Sequence, residues 1–154
     1  MGTLLGTEAP IFSDLVALTE VGIAAGLLIG TFVVRRGHVR AHRIIQSALI
    51  LVNIPIVLAW MVPEFLLIVL PGLPGDLDSP FYYIPTLMLC AGAAAEGLGI
   101  YIILAAGTNL LPLKYRFRRY KLWMRTELAL WWSVVSLGLT TYLVWYVLPL
   151  NLSA

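Results

Sequence analysis

The 154 residues are 60% hydrophobic and 12% charged, with a formal charge of +2 and a mean hydropathy of +0.92. This excludes a soluble globular domain, because too few polar side chains remain to cover one. The bilayer is the solvent that suits such a chain, so its small cationic excess orients it across a membrane and attracts anionic lipid, and no nucleic-acid surface is implied.

The segment before the first apolar run, Met1 to Pro10, has no basic n-region and no small-residue cleavage pattern, so that run is expected to be a retained helix. A crossing takes about twenty apolar residues, and four runs qualify, over residues 11–34, 44–62, 82–110 and 122–149. Runs of this length without alternation exclude a membrane β-barrel and predict an all-α, up-down four-helix bundle in one domain. All ten Lys and Arg residues fall between Arg35 and Arg43 or between Lys114 and Arg125. Cytoplasmic loops retain Lys and Arg, so the two basic loops are expected inside and both termini outside.

In the first run, Gly22, Gly26 and Gly30 recur at every fourth position, a spacing that bares one helix face for close approach of a neighbour. Glu20 lies in the same run, in its outer half. The first basic loop holds His38 and His42, four residues apart, which would share a face if the second helix began early, a candidate pair for a metal or haem. Their alternative role is interfacial hydrogen bonding, to lipid headgroups or to Glu127.

The second run carries Asn53 and, two residues later, Pro55, which should kink the helix and free a carbonyl. Between the second and third runs, Pro63, Pro71, Gly72, Pro74, Gly75 and Pro80 favour turns over a fifth crossing. This outer loop and the N-terminal tail carry Glu64, Asp76, Asp78 and Glu8. Its apolar stretch from Phe65 to Leu70 would either extend the second helix or lie in the interface.

The third run places Glu96 near the membrane midplane, beside a small-residue patch from Ala91 to Ala95 with Gly97 and Gly99. Cys90, in the same run, is the single cysteine, which excludes an internal disulfide. The fourth run has Glu127 near its cytoplasmic end, followed by Trp131 and Trp132. Aromatic residues at the run ends form an interfacial belt.

Carboxyl groups at membrane depth are costly and usually face a bundle interior or a watery cavity. Glu20, Glu96 and Glu127 would therefore either relay protons or hydrogen-bond across helices to Asn53, Thr31, Ser47, Ser133 or a tyrosine. Phosphate-cradling loops, catalytic triads and paired-carboxylate hydrolase patterns are missing from the sequence, so no enzyme is expected.

The His42-Arg43 pair at the opening of the second helix, together with Arg125, Trp131, Gly138 and Tyr142 in the fourth, resembles the membrane family called domain of unknown function 420. Some members of that family are haem A oxidase maturation proteins. The family pattern also has a His in the third helix and one ahead of the fourth. Here the third helix has none and Tyr120 stands at the other position, so the resemblance does not extend to a histidine-borne metal or haem role. It implies association with respiratory or related electron-transfer complexes.

Together these features lead us to expect a non-catalytic accessory subunit or assembly factor without a metal or bound cofactor. It would be embedded in a prokaryotic plasma membrane against a larger respiratory or photosynthetic complex. The alternatives are a haem- or quinone-binding electron-transfer protein using His42 and Trp131, and a small proton or ion transporter using the three acids.

Overall fold

A computed structural model describes residues 4–7, 9–73, 75, 76, 78–108, 110–116 and 119–148. Glu8, Pro74 and the expected helix end at Pro149 lie outside the described residues. Four helices are long and apolar enough to cross a membrane: α1 (Ile11–Arg35), α2 (Val39–Val69), α3 (Pro80–Gly107) and α4 (Tyr120–Val147). At 1.5 Å per residue, even α1 extends roughly 37 Å, more than the hydrocarbon thickness. With no strand among the described residues, the chain is a multi-pass integral membrane protein built as a four-helix bundle.

Gly37 ends α1 in the left-handed conformation, at φ 86°, where a residue without a Cβ is unstrained. Its N–H donates to the Val34 carbonyl at 3.0 Å and the next N–H, of His38, donates to Val33 at 3.1 Å. This paired closure satisfies the last turn's carbonyls. The chain then re-enters a helix at Val39.

The second helix is longer than expected, running over Val39–Val69 in place of 44–62. Nothing between Gly37 and residue 44 breaks a helix, so the basic residues Arg40 and Arg43 belong to its first turns. Pro55 and Pro63, expected to kink or stop it, are absorbed by widened π-helical turns at Val57–Met61 and Phe65–Val69. There, Val62 N–H reaches back five residues to the Val57 carbonyl and Leu70 N–H to Phe65. The outer loop accordingly shrinks to residues 70–79. Ser79, in extended conformation, and Pro80 at the first helical position open α3, a place where the missing proline N–H costs nothing.

α1 packs against α2 and α4, and α4 against α3. The interior between them holds Ile23, Leu27, Ile50, Met88, Ala95, Trp131, Val134 and Val135. The outward faces carry Leu28, Phe32, Leu51, Leu58 and Leu67 in open exposure, a continuous apolar surface that lipid covers and water would not. Hydroxyls of Thr19, Thr31, Thr86, Ser133, Thr140 and Thr141 each donate to the carbonyl four residues earlier, so none is left unsatisfied in hydrocarbon.

Arg43 Nη1 donates to the Ala106 carbonyl at 3.4 Å, which ties the first basic segment to the last turn of α3 at one end of the bundle. At the opposite end, Tyr142 of α4 meets Asp14 of α1.

Candidate functional site

The polar side chains of the interior lie at successive heights. At the end away from the basic loops, Asp14 in the first turn of α1 accepts from the N–H groups of Leu4 and Leu5 at 2.8 and 3.1 Å. It also accepts from the hydroxyls of Tyr142 and Thr7, at 2.5 and 3.3 Å. A carboxylate here also complements the positive end of the helix dipole. Beside it, Ser13 donates to Glu64 Oε1 at 3.4 Å and pairs with the Tyr146 hydroxyl at 3.2 Å. Glu64 thus belongs to α2 and the bundle interior, where an outer-loop position was expected.

One layer deeper, Glu20 of α1 is 4% exposed and lies against Gly138 of α4. A Cβ at Gly138 would stand 3.2 Å from Glu20 Cδ and 3.0 Å from Met88 Cε. The bare backbone of Gly138 therefore makes room for the carboxyl group. Glu20 Oε2 is buried without a hydrogen-bond partner.

Across the bundle, Asn53 Nδ2 of α2 donates to Glu96 Oε1 of α3 at 2.6 Å. Glu127 Oε1 of α4 accepts from Trp131 Nε1 one turn along, at 2.8 Å, and faces Gly99 of α3. The Oε2 atoms of Glu96 and Glu127 are both buried without a partner. Among the described residues no two of Glu20, Glu96 and Glu127 are hydrogen-bonded to each other, and Thr31 and Ser133 serve their own helices instead.

Glu20, Asn53, Glu64 and Glu96, though not Glu127, reach a cavity of about 420 Å³, with Trp131, Met88, Phe65 and Trp145 among its apolar walls. α3 meets α2 along Val39–Ile56 and again at Phe65–Val69, and least over the stretch between, residues 57–64. That stretch contributes Val57, Leu58 and Met61 to one rim of the cavity, opposite Leu89, Gly92 and Ala93. Leu58 is 65% exposed, so the cavity has a side window onto the hydrocarbon.

The two histidines lie at the basic end. His42 Nδ1 is 2.9 Å from the Gly30 carbonyl, an α1 to α2 bond, while His38 is exposed. No cluster of three or more metal-ligating side chains occurs among the described residues.

Of the glycines, Gly26 and Gly30 face α2, where a Cβ would meet Leu49 and Gln46, and Gly99 meets Glu127 and Ile50. Gly22 and Gly97, expected to pack, have nothing within 4 Å of a Cβ, because their helix faces point away from the bundle. Of the residues that carry the resemblance, Trp131, Gly138 and Tyr142 line the cavity, Arg43 caps α3, and Arg125 is exposed.

Asp14, Ser13, Glu64, Tyr146 and the packing role of Gly138 escaped sequence reasoning. The one available signal was Asp14 itself, an acid at the start of an apolar run. No family model, no curated protein and no solved structure matches the chain.

Proposed function

We propose that the chain is a non-catalytic integral membrane accessory subunit or assembly factor of a respiratory or related electron-transfer complex in a prokaryotic plasma membrane. The observation that supports this reading is the pair of small-residue faces that the bundle leaves uncovered. On α3, Cys90, Ala94 and Gly97 form an exposed strip, and on α1, Gly22 and Ala25 do the same. In lipid, helices associate through close backbone approach, which small residues permit. A strip of this kind facing outward suits a helix of a larger partner.

Two further features agree. The resemblance carried by His42-Arg43 and the Arg125 to Tyr142 spacing implies electron-transfer partners. Most interior polar groups are tied into helix-to-helix or local bonds, as befits a scaffold. With the basic end in the cytoplasm, as the placement of cations favours, both termini lie outside.

Purification in mild detergent followed by mass spectrometry tests the reading. The expected result is co-purification with oxidase or reductase subunits and their loss on Gly97→Phe, a change that leaves the bundle itself intact. A protein that purifies alone from every preparation would refute it.

A further inference from the structure

The cavity between the helices has walls of Val, Ile, Leu, Met and Ala side chains interrupted by the carboxyl groups of Glu20, Glu64 and Glu96, from three helices. Glu20 is 4% exposed, and its Oε2 atom has no partner. Glu96 has one oxygen committed to Asn53 and the other free of any bond. Buried polar atoms in such surroundings are ordinarily satisfied, and here Gly138 is kept bare so that the Glu20 carboxyl group fits.

We propose that this cavity is a binding site for a quinol-class amphiphile. Its phenolic hydroxyls would donate to Glu20 and Glu96, and its apolar tail would leave through the window between α2 and α3 into the hydrocarbon. The proposal stands on the cavity alone and does not depend on the accessory role.

A carboxyl group keeps acceptor lone pairs whether or not it carries a proton, so a head that supplies donors is complementary to it in either state. An ammonium head would supply them too, but stripping a full charge of water inside apolar walls costs far more than burying a hydroxyl that finds a partner. An aromatic ring fits the flanking groups, since Trp131 offers a π face and Met88 a polarizable sulfur. The volume of about 420 Å³ falls within the roughly 300–1,000 Å³ of small-molecule sites. It takes a substituted ring and the first part of a tail. The window lies between residues 57–62 of α2 and 89–93 of α3, at bilayer depth, so it admits molecules already dissolved in the membrane.

Calorimetric titration of the detergent-solubilised protein with decylubiquinol, its dimethyl ether and dodecylamine tests this. Wild-type protein is expected to bind decylubiquinol at least tenfold more tightly than the ether, which has the same ring and tail but no donor, and than the amine. Glu20→Leu is expected to weaken quinol binding at least tenfold. Gly92→Leu, at a position on the cavity rim where an added Cβ meets nothing, is expected to abolish it with helical circular dichroism unchanged. An ether or amine that binds as tightly as the quinol, or a wild-type protein that binds no quinol, would overturn the proposal. Should Glu20→Leu fail to fold, the wild-type comparison of quinol with ether decides the matter alone.

Discussion

Gly99 of α3 faces Glu127 of α4 so closely that a Cβ on the glycine would stand 2.7 Å from Glu127 Oε1 and equally near Ile50 Cδ1. The same oxygen accepts the Trp131 indole N–H. The helices thus approach here because one of them lacks a side chain, and the approach brings a carboxyl group into the interior.

A larger residue at position 99 must push that carboxyl group and Ile50 aside. Overpacking a close interior contact costs about 1–3 kcal/mol, so Gly99→Val should lower stability by that order in a denaturant titration in mixed micelles. Gly97→Val, on the outward face, should stay within about 0.5 kcal/mol of the parent. Equal losses at both positions would mean that the helices pack in a different register.

Asp14 holds the N-terminal segment to the bundle, through Leu4, Leu5 and Thr7, and holds α1 to α4 through Tyr142. Asp14→Ala removes an acceptor shared by four donors, at a cost of about 1–3 kcal/mol for partly buried bonds to a charged group. Hydrogen exchange read by mass spectrometry should quicken at residues 4–7 and leave the middle of α3 unchanged.

Asn53 and Glu96 form a side-chain hydrogen bond between α2 and α3. Interhelical bonds of this kind in membranes are worth about 0.6–2 kcal/mol. A double-mutant cycle with Asn53→Leu and Glu96→Leu should therefore give a coupling in that range. A coupling of zero would indicate that the two side chains do not meet.

The contact of His42 Nδ1 with the Gly30 carbonyl gives that ring a structural partner at the edge of the bundle. His42→Ala should cost about 1 kcal/mol, the usual worth of one such bond. The absorption spectrum should lack a Soret band before and after the change. A Soret band that vanishes on substitution would instead make His42 a haem ligand.

The crossings were legible in the sequence because twenty-residue apolar runs separated by cationic segments have one physical reading. The extent of α2 was not, since proline content argues for a break and only the fold shows that widened turns absorb Pro55 and Pro63. The four-residue spacing covers Gly26 and Gly30, which face Leu49 and Gln46 of α2, and equally Gly22, where α1 has turned that face outward. Glu20 and Glu96 were recognisable from depth alone. Asn53 was among the partners expected for them, but Gly138 was not, because it reaches Glu20 through a helix-to-helix register that no local pattern encodes. Asp14 and Tyr142 lie 128 residues apart in the chain, beyond any motif.

The proposed topology puts both cationic turns of the four-helix bundle on the cytoplasmic side. Single cysteines at Gly37, Lys114, Thr7 and Gly75, introduced into a Cys90→Ser background, measure this with a membrane-impermeant thiol reagent. Intact cells should be labelled at positions 7 and 75, and at 37 and 114 only once the membrane is opened. Labelling of positions 37 and 75 from the same side would contradict the topology and everything built on it.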